Sequence, residues 1–227
     1  MYGGNFIGQA RQWVWCIYAN KSGNDLNWLC YNLIGQSIDL SSKYVSLFVS
    51  CKVKKSKIGY LDFEVDKLTR SIENVATGDS FSTDIALLAK EDVKQITKKG
   101  GWIFNWKKEF NEVDRNVYKL TIQGNKNIIQ GLVSLGIDTD HIYMHLIESA
   151  PFNKGKKKIY LGVPGNLVAY ACKISFEQGF DGFVSFHSKT ALIDHYIKSL
   201  GAYHFGGRLM IIDTLPAKAL IDKYFKV

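Results

Sequence analysis

The sequence predicts a mixed α/β domain whose central sheet is mostly antiparallel and flanked by helices. Three apolar strand patterns, residues 117–122, 129–135 and 141–147, are separated by short polar turns typical of antiparallel neighbours. Helical spacing of apolar residues follows in residues 167–174, and a second apolar helical stripe covers residues 189–200. A strand pattern between these two helices makes the sheet mixed rather than purely antiparallel.

The remaining elements follow from the same periodicities and from turn residues. Thr77, Gly78 and Asp79 form a turn between two short strands, and Gly201 is a candidate C-cap for the helix before it. Pro216 suits the first turn of a closing helix. The predicted strands are residues 70–75, 83–88, 182–186 and 208–212, and the further predicted helices are residues 91–98 and 216–225.

The N-terminal part of the chain, residues 1–57, differs from the rest, and we interpret it as an extension of one domain at residues 58–227. It holds three of the four cysteines and few charged residues in its first half. A strand is predicted at residues 44–53 and a helix at residues 24–35. Three explanations stay open: an accessory element over the core, a contact in a homodimer, and a natural start near Leu61.

Length and composition favour a cytoplasmic protein with one full core. A chain of 227 residues, of which 46% are hydrophobic, is long enough to bury such a core. No apolar stretch reaches the roughly 18 to 20 residues of a membrane span, and no secretory leader pattern is present. The four cysteines form no C-x-x-C pair, so we expect reduced thiols and neither a metal nor disulfides.

The chain is basic, with a net charge of +8, which favours an anionic partner. Single-stranded nucleic acid is recognised by aromatic residues interleaved with basic ones, whereas only Phe152 and Tyr160 flank the main lysine cluster. The pattern therefore favours a small phosphate-bearing ligand over nucleic acid, and a solvated lysine-rich loop is the alternative. The cluster comprises Lys154, Lys156, Lys157 and Lys158.

A glycine turn at residues 161–166, LGVPGN, joins an apolar run to the helix pattern. Glycine lets backbone N–H groups approach an anion closely, and the first turn of a helix adds unpaired donors and the positive end of its dipole. This turn is therefore a candidate site for a pyrophosphate.

The order of glycine turn, helix, strand and tyrosine-bearing helix resembles the coenzyme A half of the GNAT superfamily of acyl-coenzyme A N-acyltransferases. The resemblance covers residues 81–213 and implies an N-acetyltransferase that moves an acetyl group from acetyl-CoA to an amine. Two positions depart from the family loop Q/R-x-x-G-x-G/A, because Ile159 and Pro164 replace its first and last residues. Proline has no N–H, so one phosphate contact must come from elsewhere, such as the amide of Gly165 or a lysine.

The resemblance also assigns roles to individual residues. Tyr196 would protonate the departing thiolate, although its position on an apolar helical stripe equally suits a core residue. The strand at residues 146–148 would pair with the pantetheine arm. The cofactor-binding residues implied are Leu146, Ile147, Glu148, Lys158, Gly162, Val163, Gly165, Asn166 and Leu167.

The general base is left open among three residues. Glu148 is our candidate because it ends the strand beside the expected donor, whereas His141 and His145 titrate near neutrality. Strict alternation puts His145 and Glu148 on opposite faces of that strand. The two histidines would lie about 13 Å apart along the strand, which argues against a metal site.

Other interpretations remain beside the acetyltransferase. The aromatic residues Trp102, Phe104 and Trp106 suit either the wall of the acceptor site or plain core. The protein as a whole could be a catalytically inert GNAT-fold module that binds a ligand or another protein. Alternatively, its basic charge would suit an acyltransferase acting on aminoacyl-tRNA. The acceptor and the oligomeric state do not follow from the sequence.

Overall fold

The computed structural model of the chain describes residues 59–68 and 71–225, and the backbone of two short strands near the N-terminus. The chain divides into two compact units, Met1–Ser56 and Lys57–Val227. In the first unit, β1 (Trp15–Ile17) pairs antiparallel with β2 (Leu29–Tyr31).

The helix predicted at residues 24–35 is wrong at Leu29–Tyr31, which is a strand. Its pairing partner lies more than ten positions earlier in the chain, and such tertiary pairing overrides a weak local helix signal. The strand predicted at residues 44–53 lies outside the described residues.

The second unit contains a seven-stranded sheet in the order β11-β12-β10-β8-β7-β6-β5 and a three-stranded sheet in the order β4-β3-β9, whose strands are bounded as follows. They are β3 (Ile72–Asn74), β4 (Ser80–Phe81), β5 (Thr83–Leu87), β6 (Arg115–Ile122), β7 (Asn125–Ile137), β8 (Ile142–Ser149), β9 (Tyr160–Leu161), β10 (Val184–His187), β11 (Tyr203–Gly206) and β12 (Leu209–Ile212). All neighbours in the large sheet are antiparallel except β8 and β10, which run parallel. The predicted mixed, mostly antiparallel sheet is therefore confirmed.

The helices of this unit are α1 (Trp106–Phe110), α2 (Val163–Glu177), α3 (Ile193–Leu200) and α4 (Thr214–Phe225). The helix predicted at residues 91–98 is reduced to a 3₁₀ turn at Asp92–Lys94. The Asp92 carboxylate accepts the amide of Ala89 at 2.9 Å and pairs with Lys119 at 2.7 Å, and these contacts fix a short turn.

Two apolar cores cover the two faces of the large sheet. The larger core packs α2, α3 and α4 against one face through residues such as Leu167, Tyr196 and Leu220. The smaller core lies on the other face around Trp102 and Trp106, where α1 begins. Among the described helices, none is both long and apolar enough to span a membrane.

A β-bulge in β8 changes which side chains face the site. Ser134 of β7 pairs with Leu146, and the next residue, Leu135, pairs with Met144, so His145 is an extra residue on β8. The bulge shifts the alternation, so that Ile147 joins the larger core with Met144.

The expectation that His145 and Glu148 lie on opposite faces is wrong, because the bulge separates them. Glu148 contacts Trp106, the first residue of α1. His145 contacts Arg115, which in turn pairs with Glu109 of the same helix at 3.2 Å. Both side chains are therefore directed to the face that carries α1.

Candidate functional site

The candidate site is a cleft between β8 and β10. These parallel strands pair at only two positions, Ile142 with Val184 and Tyr143 with Ser185. Beyond them β8 continues to Ser149 and is not paired with β10. The opening lies beside the N-terminus of α2, because Ser149 and Pro164 line the same pocket.

A segment of the same chain, residues 61–66, lies in this cleft; we call it the cleft segment. The amide of Leu61 donates to the carbonyl of His187 at 2.7 Å, and the carbonyl of Leu61 accepts from the amide of Lys189 at 3.1 Å. The segment thereby forms an isolated parallel bridge, Leu61 with Ser188, at the end of β10. Its side chains Leu61, Phe63 and Val65 are 1%, 7% and 6% exposed and belong to the larger core.

Tyr196 lies behind the cleft segment rather than in open space. Its hydroxyl donates to the carbonyl of Phe63 at 2.8 Å and accepts the amide of Phe63 at 3.2 Å. The residue is fully buried, and burial raises the pKa of its hydroxyl well above the usual value of about 10. In this arrangement Tyr196 anchors the cleft segment.

The N-terminus of α2 forms an anion site that is already occupied by a carboxylate. Gly162 is the N-cap, with a left-handed φ of 85° that glycine adopts without strain. Its amide donates to one carboxylate oxygen of Asp66 at 3.0 Å, and Lys158 contacts the other oxygen at 3.0 Å. Asp66 therefore lies where the pyrophosphate was predicted.

The other residues predicted to contact phosphate lie at different positions in α2, and not all of them have a free amide. Val163 and Gly165 are first-turn residues, whereas Pro164 has no N–H. The amide of Asn166 donates to the carbonyl of Gly162 at 3.0 Å and is therefore engaged within the helix. Leu167 is fully buried in the larger core.

A pocket of about 330 Å³ remains between the cleft segment and the end of β8. Three acidic residues on its wall pair with three lysines that also line it. The pairs are Asp62 with Lys189, Asp66 with Lys158, and Glu148 with Lys154.

Glu148 is a buried acceptor that organises the loop before α1. Its carboxylate accepts the amide of Ile103 at 2.7 Å, the amide of Phe104 at 3.4 Å and the indole N–H of Trp106 at 2.6 Å, and it pairs with Lys154. Only 2% of its side chain is exposed. Glu148 borders the pocket, but its oxygens are engaged.

The predicted aromatic cluster is divided between the core and the pocket. Trp102 and Trp106 are 7% and 1% exposed and are core residues. Phe104 lines the pocket together with Ile103, which the sequence did not single out. Glu148 holds both loop residues through their amides. This part of the pocket wall therefore depends on contacts between residues that lie more than forty positions apart in the chain.

The two histidines considered as bases lie elsewhere. His141 bonds to Ser185 at 2.7 Å and to Asp140 at 2.9 Å, beside a separate pocket of about 600 Å³. The side chain of Asp140 is 83% exposed, so this chain of hydrogen bonds lacks the buried acid of a catalytic triad. Among the described residues, no group of histidine, cysteine or acidic side chains has metal-binding geometry.

His145 is held in its neutral form. Burial and the neighbouring Arg115 guanidinium lower its pKa from 6.5 to about 4. Arg115 donates to Nδ1 at 2.9 Å, which assigns the proton of the neutral ring to Nε2.

The His145 pKa predicts a loss of stability in acid. Between pH 6.5 and about 4 the unfolded chain binds a proton that folded His145 does not, so stability falls as pH falls through this window. Allowing for partial exposure, we expect roughly 1–2 kcal/mol of loss from this group. Urea unfolding at several pH values should show a flatter profile for His145→Gln than for the wild type, and parallel profiles would contradict the assignment.

The cleft segment is the main feature that the sequence interpretation missed. Residues 61–66 read LDFEVD, a strict alternation of apolar and acidic residues that is typical of a half-buried strand. That signal predicts an extended segment. Its place in the cleft depends on contacts such as that of Asp66 with Gly162, which lies 96 positions away.

No protein-family model matches the sequence. No curated protein matches it either. Among solved structures, the ribosomal-protein-S18-alanine N-acetyltransferase of Escherichia coli is similar at 14% identity and a TM-score of 0.40, with 57% of this chain and 92% of that chain covered.

A mutant of the spermidine N-acetyltransferase SpeG of Vibrio cholerae is similar at 16% identity and a TM-score of 0.41, over 64% of this chain and 97% of that one. A mutant AtaT toxin, bound to the C-terminus of the antitoxin AtaR and acetyl-CoA, is similar at 13% identity and a TM-score of 0.43, over 61% and 98%. With identities of 16% or less, these three proteins are distant likenesses of the chain.

Proposed function

We propose that this chain is a cytoplasmic GNAT-type N-acyltransferase that moves an acetyl group from acetyl-CoA to an amine. One observation carries the proposal: a parallel strand pair in an otherwise antiparallel sheet opens beside a helix N-terminus capped by left-handed Gly162. A diverging strand offers unpaired backbone groups to an extended ligand, and the helix N-terminus offers N–H donors to its phosphates.

The proposed donor site has two halves. The diphosphate would accept from the amides of Gly162, Val163 and Gly165 and lie close to Lys158, the lysine already placed at this helix end. The pantetheine arm would pair with the backbone of β8 at residues 146–148, along the wall of the pocket.

The chemistry needs a base and an acid on opposite sides of the thioester carbonyl. A neutral amine nitrogen attacks the carbonyl carbon and forms a C–N bond, the nitrogen gives one proton to the base, the C–S bond breaks, and the sulfur accepts a proton from the acid. Glu148 borders the pocket and is the candidate base, which requires one of its present donors to give way. Tyr196 is the candidate acid once its hydroxyl is released from Phe63.

A specific observation favours a second candidate, an inert module that keeps the fold for binding. The Tyr196 hydroxyl and the Gly162 amide are both bonded to the cleft segment, by Phe63 and Asp66. A protein that never binds coenzyme A would have no need to free either group. The two candidates differ in whether thiol is released.

Release of free thiol from acetyl-CoA with a panel of amines tests the proposal. We expect Tyr196→Phe to lower kcat about 100-fold without raising the Kd for acetyl-CoA, because the hydroxyl would protonate the leaving sulfur and no binding contact to the donor is assigned to it. Tyr203→Phe is the matched control, since Tyr203 lies on β11 beside the other pocket.

Each outcome separates the candidates. An unchanged kcat in Tyr196→Phe would remove that residue from the mechanism and leave it as an anchor of the cleft segment. Calorimetric binding of acetyl-CoA without thiol release from any amine would favour the inert module.

A further inference from the structure

The cleft segment resembles the proposed donor in shape and charge. Its apolar side chains face the larger core, while its acidic side chains line the pocket. A pantetheine arm that ends in a diphosphate is also an extended chain with negative charge at one end. The apolar residues are Leu61, Phe63 and Val65, and the acidic residues are Asp62, Glu64 and Asp66.

At one end of the segment, Asp66 occupies the partners proposed for the diphosphate. The Gly162 amide and the Lys158 ammonium group each lie 3.0 Å from one of its oxygens. The side chains of Asp66 and Lys158 are only 12% and 25% exposed, so water screens this pair weakly. One N–H cannot donate fully to a carboxylate and to a phosphate at once, so the two anions exclude each other.

Nearer its middle, the segment is fixed by two neighbouring residues of α3. Tyr196 bonds to both backbone groups of Phe63, and the amide of Val65 donates to Nε2 of His195 at 2.8 Å. Tyr196, the candidate acid, and Gly162, at the candidate anion site, are therefore both bonded to the cleft segment. Departure of the segment would release both together.

We propose that residues 61–66 are an internal competitor of the acyl donor, and that donor binding exchanges the Asp66 carboxylate for a phosphate group. This inference rests on the proposed donor site. The apparent Kd for the donor equals the intrinsic Kd divided by the fraction of molecules whose cleft is free. As long as molecules with the segment in the cleft predominate, a change that weakens the hold of the segment therefore tightens donor binding by the same factor.

A charge-removing substitution at Asp66 tests the competition in the full chain. Calorimetric titration with acetyl-CoA should give a Kd about tenfold lower for Asp66→Asn than for the wild type, because the charged contact to Lys158 is lost. Asp62→Asn is the matched control on the same segment. Its ion pair with Lys189 is about half exposed and lies away from Gly162, so we expect less than about a twofold change.

Hydrogen exchange of the wild type supplies a measurement that does not depend on a variant. The amides of Phe63 and Val65 donate to Tyr196 and His195 in the occupied cleft and should exchange slowly. Saturating acetyl-CoA should make both amides exchange faster, whereas a ligand that merely stabilised the fold would make them slower.

The outcomes distinguish this inference from the donor proposal. Equal donor affinity in the wild type and Asp66→Asn, with the amides of Phe63 and Val65 still protected, would overturn the competition and leave the donor site in place. Absence of acetyl-CoA binding in both proteins would overturn the donor site, and the competition with it. Tighter binding by Asp66→Asn with deprotected amides supports both.

Discussion

Replacing Glu148 by alanine is expected to lower the free energy of unfolding by about 3–5 kcal/mol, a large part of the stability of a domain of this size. The substitution removes a carboxylate that accepts two loop amides and the indole N–H of Trp106. Those donors would be buried without an acceptor, and Lys154 would lose its ion-pair partner. Urea unfolding monitored by tryptophan fluorescence measures the loss.

Two variants serve as controls for Glu148. Glu148→Gln keeps one acceptor oxygen, so its cost should be clearly smaller than that of alanine. Lys154→Ala removes a partner whose side chain is 28% exposed, and a cost near 1 kcal/mol is expected. If Glu148→Ala unfolded at the wild-type urea concentration but lost all turnover, the residue would be catalytic rather than structural.

Glu148 is also the residue that the sequence favours as the general base. Its position at the end of a strand was predicted correctly, since β8 ends at Ser149. Its partners were not predicted, because Trp106 lies 42 positions earlier and joins it only through the packing of the smaller core. A carboxylate with this many donors can act as a base only if the loop that holds it moves.

Local signals were sufficient for much of the fold. The turns at Gly78 and Gly124 have positive φ, and Gly201 ends α3 in the left-handed conformation that a C-cap requires. These features depend on a few neighbouring residues, so the sequence predicts them. The same holds for α2, whose apolar residues follow the helical period.

The features that the sequence did not predict depend on distant contacts. The bulge at His145 is set by the pairing of β7 with β8, and no residue in the strand marks it. The occupant of the cleft is set by Asp66, whose partners Lys158 and Gly162 lie over ninety positions later in the chain. The glycine turn before α2 is therefore predictable from neighbouring residues, whereas its contact with Asp66 is not.

Replacing Gly165 by alanine is expected to lower the free energy of unfolding by up to about 3 kcal/mol, because neighbouring side chains already fill the space that the added Cβ would take. A Cβ at this position would lie 2.1 Å from the hydroxyl oxygen of Tyr224 in α4 and 3.0 Å from a methyl group of Leu68. Gly165 therefore permits close packing of α2 against α4, in addition to its proposed role toward phosphate. Thermal unfolding followed by circular dichroism measures the effect.

A double-mutant cycle isolates the cause of the Gly165 effect. In a Tyr224→Phe background the nearest atom is absent, so Gly165→Ala should cost at least about 1 kcal/mol less there than in the wild type. Gly100→Ala is the control, since its nearest neighbours lie at 3.4 Å. Equal costs of Gly165→Ala in both backgrounds would contradict the packing explanation. The same two variants also report on the proposed donor site. If Gly165→Ala weakened acetyl-CoA binding and adding Tyr224→Phe restored it, the weaker binding would result from displacement of α2 and not from loss of a phosphate contact.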